Sequence, residues 1–205
     1  MIVIIDYGMG NLGSLANMLK KIGVPAKITS DPSEIMSADK LILPGVGSFD
    51  NGMKKLKELN FIDLLNKKVL VDKTPILGIC LGMQLFTKSS EEGILDGLSW
   101  FDATTVKFKI DANSSLKIPH MGWDTLTVSK PNKIFNNIDT NSMFYFVHSY
   151  HVVCNRKEDV LSTSYYGYEY VSSISKANIV GVQYHPEKSH KYGMKILQNF
   201  CSDDN

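Results

Sequence analysis

The chain has 205 residues, 43% hydrophobic and 21% charged, enough to enclose a sizeable core. A net charge of +1 gives no electrostatic case for nucleic acid or an acidic membrane surface. The three cysteines, Cys80, Cys154 and Cys201, lack paired spacing and speak against a disulfide framework.

Residues 2–5 (IVII) form a first buried strand, and residues 12–22 a helix with Leu12, Leu15, Ala16, Leu19 and Ile22 on one face. Residues 26–29 are a second strand and residues 41–43 a third. Residues 51–65 read as one helix. Residues 75–79 are a fourth strand. Strands alternating with helices predict an α/β fold with a doubly wound, mostly parallel central sheet. From Trp100 onward the texture changes. Residues 105–110, 123–128, 143–147, 151–153 and 160–166 alternate in the manner of antiparallel strands and hairpins, so antiparallel additions are expected. Residues 179–184 return to the core, and residues 191–201 close the chain as a helix. No repeat, low-complexity segment or linker interrupts this order, so residues 1–205 are expected to form a single domain. The opening MIVIIDYG has too short an apolar run, and no basic segment, for a signal peptide. No apolar run approaches a membrane span. The expectation is a cytoplasmic protein.

Two glycine-rich turns invite a ligand reading. Gly8-Met9-Gly10-Asn11-Leu12-Gly13 fits G-x-G-x-x-G between a strand and a helix, with Asp31 near the end of the next strand. A lone match is weak, and the antiparallel second half leaves no complete second mononucleotide-binding unit. The plain alternative is a tight turn without a ligand. Pro44-Gly45-Val46-Gly47 follows the third strand, and its glycines permit backbone conformations closed to other residues.

The stretch TPILGICLGMQ, residues 74–84, carries the chemistry. A short apolar run ends at Cys80, and good helix formers follow. Gly78 and Gly82 flank the cysteine at minus two and plus two, giving G-x-C-x-G, the cysteine form of a nucleophile elbow. The sulfur then lies over a helix N-terminus, whose dipole and free N–H groups favour a thiolate and can receive an oxyanion. An isolated buried cysteine is more often inert packing. A base changes that balance, and Tyr184-His185-Pro186-Glu187 ends a second apolar run with an imidazole and an acid. Cys80, His185 and Glu187 therefore make a candidate triad. His148 and His151 stand three apart. In a strand-and-turn context that spacing does not share a face, and no third ligand is near, so no metal site is expected.

GICLGMQ with HPEKS resembles the class I (triad) glutamine amidotransferases. DYGMGN at residues 6–11, PGVGSF at 44–49, PHMGWD at 119–124 and YFVHSYH at 145–151 narrow the likeness to the glutaminase subunits of imidazole glycerol phosphate synthases. The resemblance runs nearly end to end. It implies that Cys80 attacks the side-chain carbonyl of glutamine, with His185 as base and Glu187 orienting it. It implies that the N–H of Val46 swings toward the oxyanion beside the N–H of Leu81. It matches Gln84 and Glu92 to side-chain contacts with glutamine, and Ser149 and Tyr150 to main-chain contacts. The loop with Asn11, and Trp123, Tyr145 and Lys188, would face a partner, a (β/α)8-barrel cyclase that uses the ammonia. No cofactor is implied. Asp124 departs from the expected asparagine, and residues 87–90 are less acidic than usual, leaving the choice between Glu91 and Glu92 to the register. The resemblance also leaves room for a paralogous glutaminase serving another synthase, such as one amidating a cell-surface sugar. Two rivals stand beside it. One is a regulatory, nonenzymatic relative, which the intact triad opposes; the other is a dinucleotide-binding enzyme.

Overall fold

The computed structural model describes residues 1–202. In the first strand, β1 (Ile2–Ile5), every residue is buried, because the two faces of the strand look into two different cores. Val3 and Ile5 join one core, and Ile2 and Ile4 join the other. That division sorts the helices. α1 (Leu12–Lys21) packs Leu15 and Leu19 into the second core. After β2 (Ala26–Thr29), the short α2 (Pro32–Ser37) puts Ile35 into the first. The strand β3 (Lys40–Gly45) is followed by α3 (Phe49–Glu58) and α4 (Phe61–Asn66), both on the first face. A π-helical turn, Lys67–Val71, leads into β4 (Ile76–Cys80) and the one-turn helix α5 (Leu81–Gln84).

The second half adds β5 (Ser89–Ser90), β6 (Ala103–Lys107), β7 (His120–Asp124) and β8 (Thr127–Val128). It continues with β9 (Phe144–His148), β10 (Tyr150–Cys154), β11 (Val160–Tyr165), β12 (Glu169–Lys176) and β13 (Ile179–Val182). The closing helix α6 (His190–Cys201) packs Ile196, Leu197 and Phe200 into the second core beside α1. The main sheet runs β2-β1-β3-β4-β13-β12-β10-β6-β5, with β11 paired to β12 and β8. From β2 to β13 every pairing is parallel; beyond β13 the pairing is antiparallel as far as β6, and the short β5 lies parallel to β6 at the edge. β7 and β9 form a separate antiparallel ribbon. Helices on both faces of a largely parallel sheet make this the doubly wound α/β architecture that the sequence predicts.

Three details differ from expectation. The helix expected over residues 51–65 is two, because Asn60 takes a left-handed conformation (φ 56°) between α3 and α4. Both halves keep their apolar residues on one core, so periodicity alone does not reveal the break. The stretch expected over residues 123–128 is likewise two strands in different sheets. The strand β12 and the helix α2 are present where no element was expected. Among the described residues, no helix is long and apolar enough to cross a membrane.

Candidate functional site

β4 and β13 are parallel neighbours, with Val182 beside Ile79. Residues just beyond these two positions therefore emerge together at the C-terminal edge of the sheet, where open α/β sheets place their ligands. Cys80 lies one position past Ile79, and His185 three past Val182. β3 is the other neighbour of β4, with Gly45 beside Cys80, so Val46 arrives at the same edge.

Cys80 has φ 53° and ψ −109°, a backbone conformation that side-chain-bearing residues rarely adopt. The turn leaves no room on either side. A Cβ on Gly82 would stand 1.9 Å from the Leu43 carbonyl oxygen, and one on Gly78 2.5 Å from the Phe86 ring. Leu81 opens α5, so its N–H lies among the unsatisfied donors of a helix start.

The His185 ring is buried, and its Nδ1 lies 2.8 Å from Glu187 Oε1, itself shielded from solvent. Its Nε2 makes no hydrogen bond. Burial alone would favour the neutral ring. The adjoining Cys80 sulfur and then the Glu187 carboxylate outweigh burial, and the pKa is pushed up to about 10. The arrangement favours a protonated His185 ring at neutral pH. Two other buried histidines behave oppositely. Burial takes His120 down to about 4 and His148 to about 3, so both rings are neutral. His148 reaches the edge of the cleft, but its Nδ1 is bonded to the Tyr150 carbonyl at 2.8 Å.

A cleft of about 330 Å³ opens over the sulfur. Val46, Leu81, Gln84, Glu92, Ser149, Tyr150 and Lys188 line it with Cys80 and His185. Glu187 stands behind His185. A larger cleft of about 550 Å³ lies among Met53, Lys57, Asp63 and Leu98, and holds no nucleophile, so size does not pick the reactive site. Gln84 spends its amide N–H groups on the Tyr150 carbonyl (3.1 Å) and on Gln183 Oε1 (3.0 Å), leaving its carbonyl oxygen uncommitted. Glu92 accepts the N–H of Phe49 at the start of α3 (2.8 Å), while Asp50 accepts those of Ile94 and Leu95. This pair of contacts clamps the loop to α3 and sets its register. Glu92 faces the cleft, and Glu91 turns away to accept the Lys107 N–H at 2.8 Å. Ser149 joins β9 to β10, and its carbonyl is taken by the Phe108 N–H.

An aromatic patch borders the cleft. The Trp123 ring stacks on His190 (5.2 Å, 6°) and meets Tyr145 edge-on (5.7 Å). Lys188 Nζ lies 5.5 Å above the Tyr145 ring. Trp123 is 41% exposed and its neighbour Met121 62%. An exposed cluster of large apolar side chains of this kind suits contact with another protein. Asn11 is the N-cap of α1, accepting the Ser14 N–H at 3.3 Å.

The glycine-rich turn is not a dinucleotide site. In that fingerprint the third glycine admits close helix–strand packing, but a Cβ on Gly13 would have nothing within 4 Å. Gly10 is instead required by its φ of 109° and by Pro44, 3.1 Å from the Cβ it lacks.

Sequence reasoning passed over three residues at the site. His190 completes the aromatic stack. Tyr7 is buried beneath Gly45, where an added Cβ would stand 2.6 Å from the phenol oxygen, and that hydroxyl has no partner. Burial, and then the charge on Cys80, push its pKa up. Gln183 donates toward the Cys80 sulfur at 3.6 Å. Its position directly after β13 and two before His185 was the signal available.

The family profile described as glutamine amidotransferase class-I matches residues 3–203. The imidazole glycerol phosphate synthase subunit HisH 2 of Methanococcus maripaludis is 60% identical over 200 residues, covering 98% of each chain. The subunit HisH 1 of Campylobacter jejuni is 50% identical over 201 residues, again covering 98% of each. Among solved structures, one of a glutamine amidotransferase superposes with TM-score 0.69 at 18% identity, covering 98% of this chain and 97% of that one. PurLQS from Thermotoga maritima gives 0.66 at 19%, covering 97% and 96%. These two likenesses bear on the fold alone.

Proposed function

We propose that this chain, which belongs to the class I glutamine amidotransferases and among them to the glutaminase subunits of imidazole glycerol phosphate synthase, works through Cys80, His185 and Glu187. It hydrolyses glutamine to glutamate and ammonia for imidazole glycerol phosphate formation in histidine biosynthesis. The observation that carries the site assignment is the strained Cys80 beside a histidine whose far nitrogen is held by Glu187.

The steps follow from the geometry. The Cys80 sulfur adds to the side-chain carbonyl carbon of glutamine, and the carbonyl electrons move to oxygen. The Leu81 N–H at the start of α5 meets that oxyanion, joined by the Val46 N–H when its peptide turns inward. The His185 imidazolium gives its proton to the amide nitrogen, the C–N bond breaks and ammonia leaves. His185, now neutral, takes a proton from water as the water attacks the thioester. Glutamate is released, and Cys80 and His185 return to the ion pair. Glu187 keeps Nδ1 protonated throughout. The uncommitted Gln84 carbonyl and the Glu92 carboxylate suit the ammonium of the substrate.

Ammonia released into water would be protonated and lost as a nucleophile, so a partner must cover the cleft. The Trp123–His190–Tyr145 patch with Lys188 is the surface assigned to that contact, with a (β/α)8-barrel cyclase as the occupant. The test is ammonia release by the purified chain, with and without that cyclase and its nucleotide ligand. An oxyanion donor contributes about a hundred- to thousandfold in rate, and the partner is expected to raise turnover by at least that factor. Cys80→Ser and His185→Ala are each expected to abolish hydrolysis in a folded chain. Full turnover alone, unchanged by the cyclase, would mean a free-standing glutaminase and no inward turn at Val46.

A further inference from the structure

We propose that Gln183 is a positioning residue for the nucleophile. Its side-chain amide donates to the Cys80 sulfur, stabilising the thiolate and holding it in one orientation. This deepens the reading of Cys80 as nucleophile and rests on it.

The direction of the amide is fixed by a chain of partners that begins at a group able only to accept. The Tyr150 carbonyl receives Gln84 Nε2 at 3.1 Å. That contact orients the Gln84 amide, and the same nitrogen then meets Gln183 at 3.0 Å. The atom of Gln183 facing it must accept, so it is Oε1. The Gln183 amino group is thereby turned toward Cys80, 3.6 Å away, a hydrogen-bonding distance for an acceptor as large as sulfur. Reversing Gln183 would set two amino groups against each other and present a carbonyl oxygen to a thiolate. Gln183 has no solvent exposure, so water cannot replace the lost partners. The Tyr150 carbonyl also accepts from His148 Nδ1, which anchors the start of the chain.

The sulfur thus has two neighbours of different kinds. His185 carries a proton it must give up in the reaction. Gln183 donates from a group that does not titrate, so its support persists through every protonation change of His185. Gln84 lines the cleft as well as orienting Gln183, so the end of the cleft that would take the substrate's ammonium is connected to the nucleophile by two hydrogen bonds.

The test is alkylation of Cys80 by iodoacetamide as a function of pH, which requires no glutamine turnover. Gln183→Met keeps the length and removes the donor. A hydrogen bond to a charged group corresponds to a factor of about ten or more. The alkylation rate at pH 7 is expected to fall about tenfold, with the pH midpoint of the profile moving upward. Gln183→Glu, which sets an acceptor against the sulfur, is expected to fall further. Far-ultraviolet circular dichroism and thermal unfolding report whether each variant is folded. If neither Gln183 variant folds, Gln84→Met supplies the measurement, because it frees the Gln183 amide to reverse; a fall in rate and an upward midpoint are again expected. An unchanged alkylation profile in a folded variant overturns the proposal, even if glutamine hydrolysis falls. Failure of the underlying reading looks different: in the unmodified chain, Cys80 would then react no faster than Cys154 or Cys201.

Discussion

Replacing Cys80 by glycine is expected to give a more stable protein than replacing it by alanine. Both substitutions remove the sulfur, so their difference isolates the backbone. At an ordinary buried position alanine wins, because glycine gives up about 0.5–1 kcal/mol of chain entropy and the buried methyl contributes about 0.8 kcal/mol. Cys80 is not ordinary. Its φ of 53° pairs with a ψ of −109°, outside the left-handed helical well, and only glycine enters that region without strain. Conformations of this class cost side-chain-bearing residues about 1–3 kcal/mol, and the upper part of that range applies so far from a well. Subtracting the two terms that favour alanine leaves glycine ahead by about 1 kcal/mol. For a chain of this length that is roughly 2–4 °C in Tm. The assay is urea unfolding of the two variants side by side, checked by thermal scans. An alanine variant more stable than the glycine variant by about 1 kcal/mol or more, the ordinary ordering, would show that the elbow stores no strain.

The remaining predictions concern reactivity and docking. Burial pushes the thiols of Cys154 and Cys201 up to about 12, whereas Cys80 adjoins a protonated imidazole. Iodoacetamide at pH 8 is therefore expected to label Cys80 at least about a hundredfold faster, read by peptide mass spectrometry; equal labelling would remove Cys80 as nucleophile. Trp123→Ala strips the exposed ring from the stack with His190 and is expected to weaken cyclase binding by about 2 kcal/mol or more, measured by calorimetry. Undiminished affinity would move the docking surface elsewhere.

Much of this protein is written in local sequence. The inner strands of the parallel half, such as β1 and β4, are legible because both their faces are apolar, a pattern that survives in any surroundings. The elbow is legible because G-x-C-x-G is a steric demand, met here by the Leu43 carbonyl and the Phe86 ring. Glu187 is legible as the partner of His185 because the two lie in one turn. What the sequence leaves open depends on contacts between distant segments. His148 and His185 both line the cleft, and what carries His185 to the sulfur is the parallel pairing of β13 with β4, about a hundred positions apart. The register of Glu92 rests on the N–H of Phe49, supplied by a helix forty positions earlier. Gln183 is only a polar residue at the end of an apolar run until Tyr150 and Gln84 orient its amide. Hydrophobic periodicity records which face a residue buries. It carries no record of which strand lies alongside, and that adjacency decides which side chains meet at the sulfur.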